Sequence, residues 1–313
     1  MSLFQELNSI LYQRVLQNQM LAPYTTFKIG GTARYFFVAK ITDEIVVAVH
    51  AATQCGVPFF ILGGGSNLWV SDCGFYGLVI KCENKEICFK DDRITVDAGV
   101  TWGVLTVKAH ENGLVGLSEL THIPGTIGGA VRGNAGSMGK ETKDVVARVL
   151  VLKTSAITSS YLREGDSVCE NPEWINNIEC NFCYRESIFK HNKWVILKAE
   201  LQLHCGDVEE SKQKVKKYLE KRRVSQPLNK PCAGCFFKNP HGMNASKLID
   251  ESGLKGMFIG QARISPIHAN FIENLGGAKS SDLLQLVNTV KKKVYEKFGV
   301  WLQEEVVRVG FEE

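Results

Sequence analysis

The sequence predicts a mixed α+β protein in two parts, a larger domain over residues 1–205 and a smaller α+β domain over 206–313. Three observations carry this. The length of 313 residues is about twice that of a typical domain. Short β-type runs alternate with glycine punctuation between residues 24 and 100, and 16 of the 29 glycines fall within residues 56–139. Beyond Gly206 the chain turns to helices with charged ends and shows no comparable glycine cluster.

At the start, Leu7, Ile10, Leu11 and Val15 recur at helical spacing, which predicts an amphipathic helix over residues 4–17. Tyr35–Val38, Phe59–Leu62 and Leu78–Ile80 read as strands, with one helix, Asp43–Gln54, among them. Glycine costs chain entropy, so its concentration in 56–139 marks a backbone that turns with positive φ or approaches a ligand closely. Longer β-type runs follow at Val145–Lys153 and Trp194–Leu203. From Asp207 an acidic first turn and a basic end signal a helix, whose segment Lys212–Arg223 carries seven positive residues against one negative. Asn244–Glu251 is bounded by Gly253, and Ser281–Phe298 ends at Gly299, where a left-handed glycine closes helices.

Composition narrows the function. The chain is 44% hydrophobic and 22% charged, which excludes wholesale disorder, and no run approaches the roughly 18 apolar residues of a membrane-spanning helix. The net charge of +4 suits a small phosphorylated substrate better than a genome-binding surface, so no nucleic-acid partner is expected; the missing apolar run likewise argues against a membrane, and no obligate protein partner is inferred. The N-terminus lacks a basic start followed by an unbroken apolar stretch, and the ten cysteines are irregularly scattered. A cytoplasmic protein with most cysteines reduced and buried is the expectation.

Five segments are candidates for chemistry. Phe60-Ile-Leu-Gly-Gly-Gly-Ser-Asn-Leu68 runs from an apolar strand into Gly63, Gly64, Gly65, Ser66 and Asn67, whose amides are suited to cradling a phosphate; an ordinary tight turn is the alternative. Neither the GxGxxG nor the GK[ST] pattern follows that strand. A second loop, Ile123-Pro-Gly-Thr-Ile-Gly-Gly-Ala-Val131, offers Pro124, Gly125, Thr126, Gly128 and Gly129, with Asn134 and Gly136 close behind. Two such loops in one domain point to the pyrophosphate of a dinucleotide, against a buried hairpin. In Cys180-Asn-Phe-Cys-Tyr-Arg-Glu-Ser-Ile188, Arg185 sits in a strand-like run, either to hold a carboxylate bidentately or simply to face solvent. Pro231-Cys-Ala-Gly-Cys-Phe-Phe-Lys-Asn-Pro240 brings a thiol beside Lys238 and Asn239. Its CxxC pair and that at Cys180/Cys183 are separated by 48 residues, unlike the roughly 15–20 of structural zinc sites, so no metal is assigned. Last, Gly299–Val307 reads as a strand in which alternation sends Glu304 and Glu305 to opposite faces.

In order, these motifs resemble the UDP-N-acetylenolpyruvoylglucosamine reductase family over nearly the whole chain. The resemblance rests on Thr25-Thr-Phe-Lys-Ile-Gly-Gly31, the GGGSNL and IPGTIGGA loops, Tyr184-Arg185, AGCFFKNP, His268-Ala-Asn-Phe271 and Glu305. It implies noncovalent FAD in an N-terminal domain of the vanillyl-alcohol-oxidase (PCMH) type, substrate on the smaller domain, and NADPH as co-substrate. The short stretch between Arg185 and Arg223 places the chain with the compact branch that lacks an extra substrate-covering insertion.

By resemblance, hydride passes from NADPH through FAD to the enolpyruvyl double bond, and Arg185 and Glu305 serve the developing negative charge. Tyr184, Lys238 and Asn239 match substrate-side positions. The family's usual proton donor is a serine, and Cys235 stands at that position. An unperturbed thiol titrates near 8.5, much closer to neutrality than an alcohol, so a protonated Cys235 is a competent acid. Where the family has Glu-Val-Arg, this chain has Glu305-Val-Val with Arg308 one place later, on the other face of a strand. Two other readings compete: a related FAD-dependent oxidase of a small alcohol or sugar, and a zinc-stapled nucleic-acid-binding protein.

Overall fold

The computed structural model describes residues 2–154 and 171–311. They group into two compact units, each assembled from separate stretches of chain. The first comprises Met1–Gln17, Tyr35–Gly64 and Gly77–Leu219; the second comprises Asn18–Arg34, Gly65–Tyr76 and Glu220–Glu313. The mixed α+β class is as expected.

The chain opens with α1 (Leu3–Ile10), where Ser2 accepts from Gln5 N and the Gln5 side chain accepts from Ser2 N. The predicted helix over 4–17 is therefore too long. Tyr12 and Gln13 adopt positive φ, and the chain re-enters as the strand Leu16–Met20. Leu7, Leu11 and Val15 are still buried together, so the apolar spacing reported a core contact rather than a continuous helix. Thr32–Ala39, Phe75–Cys82 and Phe59–Leu62 lie side by side in one sheet, the last two parallel with Leu62 opposite Lys81. α2 (Thr42–Gln54) buries Ile45, Ala48, Val49 and Ala52 in the same cluster as Leu78 and Ile80.

A second sheet in this unit is antiparallel throughout, in the order Glu173–Asn176, Val146–Leu152, Val195–Gln202, Arg93–Asp97, Ile87–Lys90. Its apolar face packs Val96, Val149, Ala199 and Leu201 with residues of α3 (Trp102–Glu111) and α4 (Ile127–Gly133). α5 (Val208–Ser225) carries the expected acidic first turn and basic end.

The second unit has its own core. α6 (Ala245–Glu251) and α7 (Ser280–Phe298) pack Leu248, Leu283, Leu286, Val290 and Val294 with Ile264 and Ile272 of a four-stranded sheet and with Phe236 and Phe237, which directly follow its strand Cys232–Cys235. That sheet runs Cys232–Cys235, Phe271–Asn274, Ala262–Ile264, Phe258–Ile259. Asn244 caps α6 through its side chain, and Gly299 closes α7 at φ +68.

Two further expectations fail. Gly299–Val307 is not a strand: only Val307–Val309 is, paired in parallel with Leu68–Val70, and Glu304 makes an isolated bridge to Phe237. Most described cysteines are not buried. Of nine free thiols, only Cys82 and Cys180 are; Cys169 lies outside the described residues.

Candidate functional site

The two glycine loops meet. A Cβ built on Gly64 would stand 2.5 Å from the Cα of Gly125, and one on Gly63 would stand 2.5 Å from Thr126 Oγ1. Only hydrogen on Gly64 lets the two backbones approach so closely, and only hydrogen on Gly63 leaves room for the Thr126 hydroxyl where it stands. Gly63, Thr126, Gly128 and Gly129 line a cavity of about 670 Å³, whose wall includes apolar groups such as Val57, Phe60 and Trp194. Its size and its few polar groups suit an organic cofactor. Arg132 also lines it, and burial pulls that guanidinium below the ordinary arginine value while Glu186 opposes the fall. Lys190 and Lys193 add cationic side chains to the same wall. These three escaped the sequence reading because isolated basic residues carry no spacing signal. An elongated, doubly negative dinucleotide fits such a lining.

Other predicted cofactor residues have protein duties. Asn134 closes α4 in the left-handed region (φ +40); its Nδ2 donates to Glu141 Oε2 (3.0 Å) and the Cys183 carbonyl (2.8 Å), and its Oδ1 accepts from Lys143 N (3.1 Å). It therefore braces the turn that carries Arg185. Pro124 is exposed, and Ser66 and Gly125 are half-buried. Gly65 has φ +65.

Arg185 is not in a strand. Between 3₁₀ turns at Asn177–Cys180 and Ile188–Lys190 the chain makes a tight turn closed by paired backbone bonds between Cys183 and Glu186, with Arg185 itself at φ +57, a conformation that costs a non-glycine residue about 1 kcal/mol or more and clusters at functional sites. The surroundings hold it there. Lys190 Nζ donates to its carbonyl (2.5 Å), its Nη2 donates to the Gly136 carbonyl (3.2 Å), and Glu141 lies 3.8 Å from Nη1. The guanidinium also lies 5.0 Å from the centroid of the Tyr184 ring. Gly136 is required beneath it, since a Cβ there would meet the Lys140 carbonyl at 2.8 Å and Arg185 Nη1 at 3.3 Å.

In the second unit, Cys235 and Glu305 lie on hydrogen-bonded neighbours. Glu305 N donates to the Phe236 carbonyl (2.8 Å) and Lys238 N to the Gln303 carbonyl (2.8 Å), so the chain from 303 to 305 runs beside 236–238. On the other flank the side chain of the buried Asn270 pairs with both backbone groups of Phe237: Phe237 N donates to its Oδ1 (2.9 Å) and its Nδ2 donates to the Phe237 carbonyl (2.8 Å). Phe236 N donates to the Asn270 carbonyl (2.7 Å). Asn67 completes the frame, its Nδ2 donating to the Glu305 carbonyl (3.1 Å). Asn239 Oδ1 accepts from Ala245 N (3.0 Å). Arg222 places a positive charge on both Cys232 and Cys235. Burial pushes the Cys232 thiol up, with Glu273 adding to the rise and a hydrogen bond from Gly234 and the charge of Arg222 opposing it.

The adjacent carboxylates are sharply divided. Glu304 is clamped by Lys291 Nζ (2.7 Å) and by Nε and Nη2 of Arg308 (2.7 Å each). Burial acts to raise its carboxyl, but those bonds and charges hold it below the ordinary value. Arg308 also lies over the Trp69 and Phe311 rings, so it is a structural residue. Among the described residues no three metal-ligating groups cluster, and no helix is long and apolar enough to cross a membrane.

Comparison with known proteins identifies the family. Residues 33–156 match the model of an FAD binding domain, and residues 226–309 that of the UDP-N-acetylenolpyruvoylglucosamine reductase C-terminal domain. The chain is 41% identical over 308 residues to the UDP-N-acetylenolpyruvoylglucosamine reductase of Carboxydothermus hydrogenoformans, covering 98% of this chain and 97% of that protein. It is 37% identical over 310 residues to the protein of the same name from Caldanaerobacter subterraneus subsp. tengcongensis, covering 98% of each. The crystal structure of the Thermus caldophilus reductase superposes with a TM-score of 0.75 at 32% identity, covering 95% of this chain and 98% of that one.

Proposed function

Because the chain belongs to the UDP-N-acetylenolpyruvoylglucosamine reductase family, we propose that it reduces UDP-N-acetylglucosamine enolpyruvate to UDP-N-acetylmuramate, an NADPH-dependent step of peptidoglycan precursor synthesis carried out in the cytoplasm. Residues 1–205 carry FAD and residues 206–313 the nucleotide sugar. When bound, FAD supplies the hydride that the enolpyruvyl group receives at its terminal carbon.

The chain's own residues handle charge and the proton. Hydride arrival leaves negative charge on the carbon bearing the ether oxygen and on the neighbouring carboxylate. Arg185, pre-set by its strained backbone, neutralises that carboxylate. Glu305, carrying a proton, hydrogen-bonds the enolate-like oxygen. The Cys235 thiol transfers its proton to the ether-bearing carbon and is recharged from water. Tyr184, Lys238 and Asn239 hold the substrate. Gly63, Gly64, Gly65, Ser66, Asn67, Pro124, Gly125, Thr126, Gly128, Gly129, Asn134 and Gly136 form the cofactor cradle, Asn67 and Asn134 also bracing the segments that carry Glu305 and Arg185.

One observation supports the pairing of Cys235 with Glu305 most directly: Phe236, the residue after Cys235, donates its N–H to the Asn270 carbonyl and accepts from Glu305 N at its own carbonyl, so the two segments are fixed side by side. The test of the overall reading is oxygen-free NADPH consumption. It should depend on the enolpyruvyl nucleotide sugar and yield UDP-N-acetylmuramate. NADPH consumption that needs oxygen and ignores the sugar sinks the reading.

A further inference from the structure

Lys81 lies behind the first glycine loop, in the strand Phe75–Cys82, directly opposite Leu62 in the parallel pairing that delivers the chain into that loop. Its Nζ donates to the Gly63 carbonyl at 2.6 Å. Among the described residues no carboxylate lies within ion-pair distance of it; Glu83 acts only at longer range. Burial pushes the ammonium below the ordinary lysine value, with Glu83 and Cys82 opposing and Lys85 reinforcing the fall. A half-buried ammonium that bonds only a neutral carbonyl is a poor structural choice, because its desolvation is not offset by a counter-charge.

The geometry of the peptide gives it a use. The Gly63–Gly64 peptide is planar and trans, so turning its carbonyl toward Lys81 turns the Gly64 N–H the opposite way. Gly64 is the residue whose Cα side is pressed against Gly125 of the second loop, and Gly63 lines the cavity. We propose that Lys81 is a positioning residue of the cofactor site: it locks the Gly63–Gly64 peptide with its N–H directed to the ligand side and supplies the positive charge that a bound dinucleotide's phosphates neutralise. The inference rests on the FAD-dependent reading above and adds to it a residue outside both glycine motifs.

The test compares Lys81→Met and Lys81→Arg with the wild-type full chain, reading the FAD dissociation constant by flavin fluorescence and the melting temperature after FAD removal. Lys81→Met should weaken FAD binding about tenfold or more, as loss of a charged hydrogen bond implies, while the FAD-free protein melts no lower than wild type. Lys81→Arg, which keeps the charge and a donor, should recover part of the affinity. FAD binding by Lys81→Met within twofold of wild type overturns the proposal. So does a lowered FAD-free melting temperature with unchanged affinity in the folded fraction, the signature of a purely structural lysine. Failure of the wild type to bind FAD at all would instead remove the underlying reading.

Discussion

Gly64→Ala tests whether the two glycine loops work as one cradle. The added methyl would stand 2.5 Å from the Cα of Gly125, about 1 Å inside ordinary van der Waals contact, and the obstructing atom is backbone that cannot rotate aside. The loops must separate, at the cost of overpacking, about 1–3 kcal/mol. Since the strain falls on the cradle, most of it should appear as lost cofactor affinity, about 30-fold for 2 kcal/mol, with a drop in melting temperature on the order of 2–6 °C. Gly133→Ala is the control. It sits at the end of α4 with nothing within 4 Å of its Cβ position and without a positive φ, so it should bind FAD normally and melt no lower than wild type. Flavin fluorescence titration and thermal melts of both variants decide the matter. If Gly64→Ala bound FAD as tightly as Gly133→Ala, the loops would not form a shared site.

Other expectations follow from the second unit. Glu304→Gln removes a half-buried carboxylate from Lys291 and Arg308 and should cost about 2 kcal/mol at neutral pH. Because the Glu304 carboxyl is held below its ordinary value, its contribution is present above about pH 4.5 and fades as pH falls through the lower folded value. Melting curves of the variant should therefore lose part of the wild type's acid dependence, and an unchanged pH profile would contradict the clamp. Glu305→Gln should leave the melting temperature within about a degree yet abolish most turnover; a stable, fully active variant removes Glu305 from the site. Asn270→Ala strands the Phe237 N–H and carbonyl and should cost about 2–4 kcal/mol by denaturant unfolding, with Asn270→Asp regaining only the bond from the N–H.

What was legible in the sequence was whatever local chemistry dictates. Gly299 stops α7 because a left-handed residue closes a helix, and Phe59–Leu62 is a strand because its apolar run is bounded by proline and glycine. The glycine loops showed themselves by their entropy cost, although only the folded chain reveals that Gly64 presses on Gly125. The departures were tertiary. Residues 11–15 keep helical apolar spacing but leave the helix at Tyr12 and Gln13. The run around Arg185 has strand-like composition, yet bonds from Lys190 and to Gly136 hold Arg185 at positive φ. Glu304 and Glu305 could not be told apart by alternation, since no strand forms there; Lys291, far along α7, is what claims Glu304. Lys81 carried no motif and became visible only through the carbonyl it contacts.

The most direct measurement is a single turnover without oxygen: bleach the bound flavin with one equivalent of NADPH, then add the enolpyruvyl nucleotide sugar. In the wild type the flavin colour should return at a rate that supports turnover. In Cys235→Ala, bleaching should proceed normally and colour should fail to return, while Cys235→Ser should recover it. Equal recovery in the alanine variant and the wild type would contradict the sulfur as proton source, and no recovery in the wild type would contradict the reaction itself.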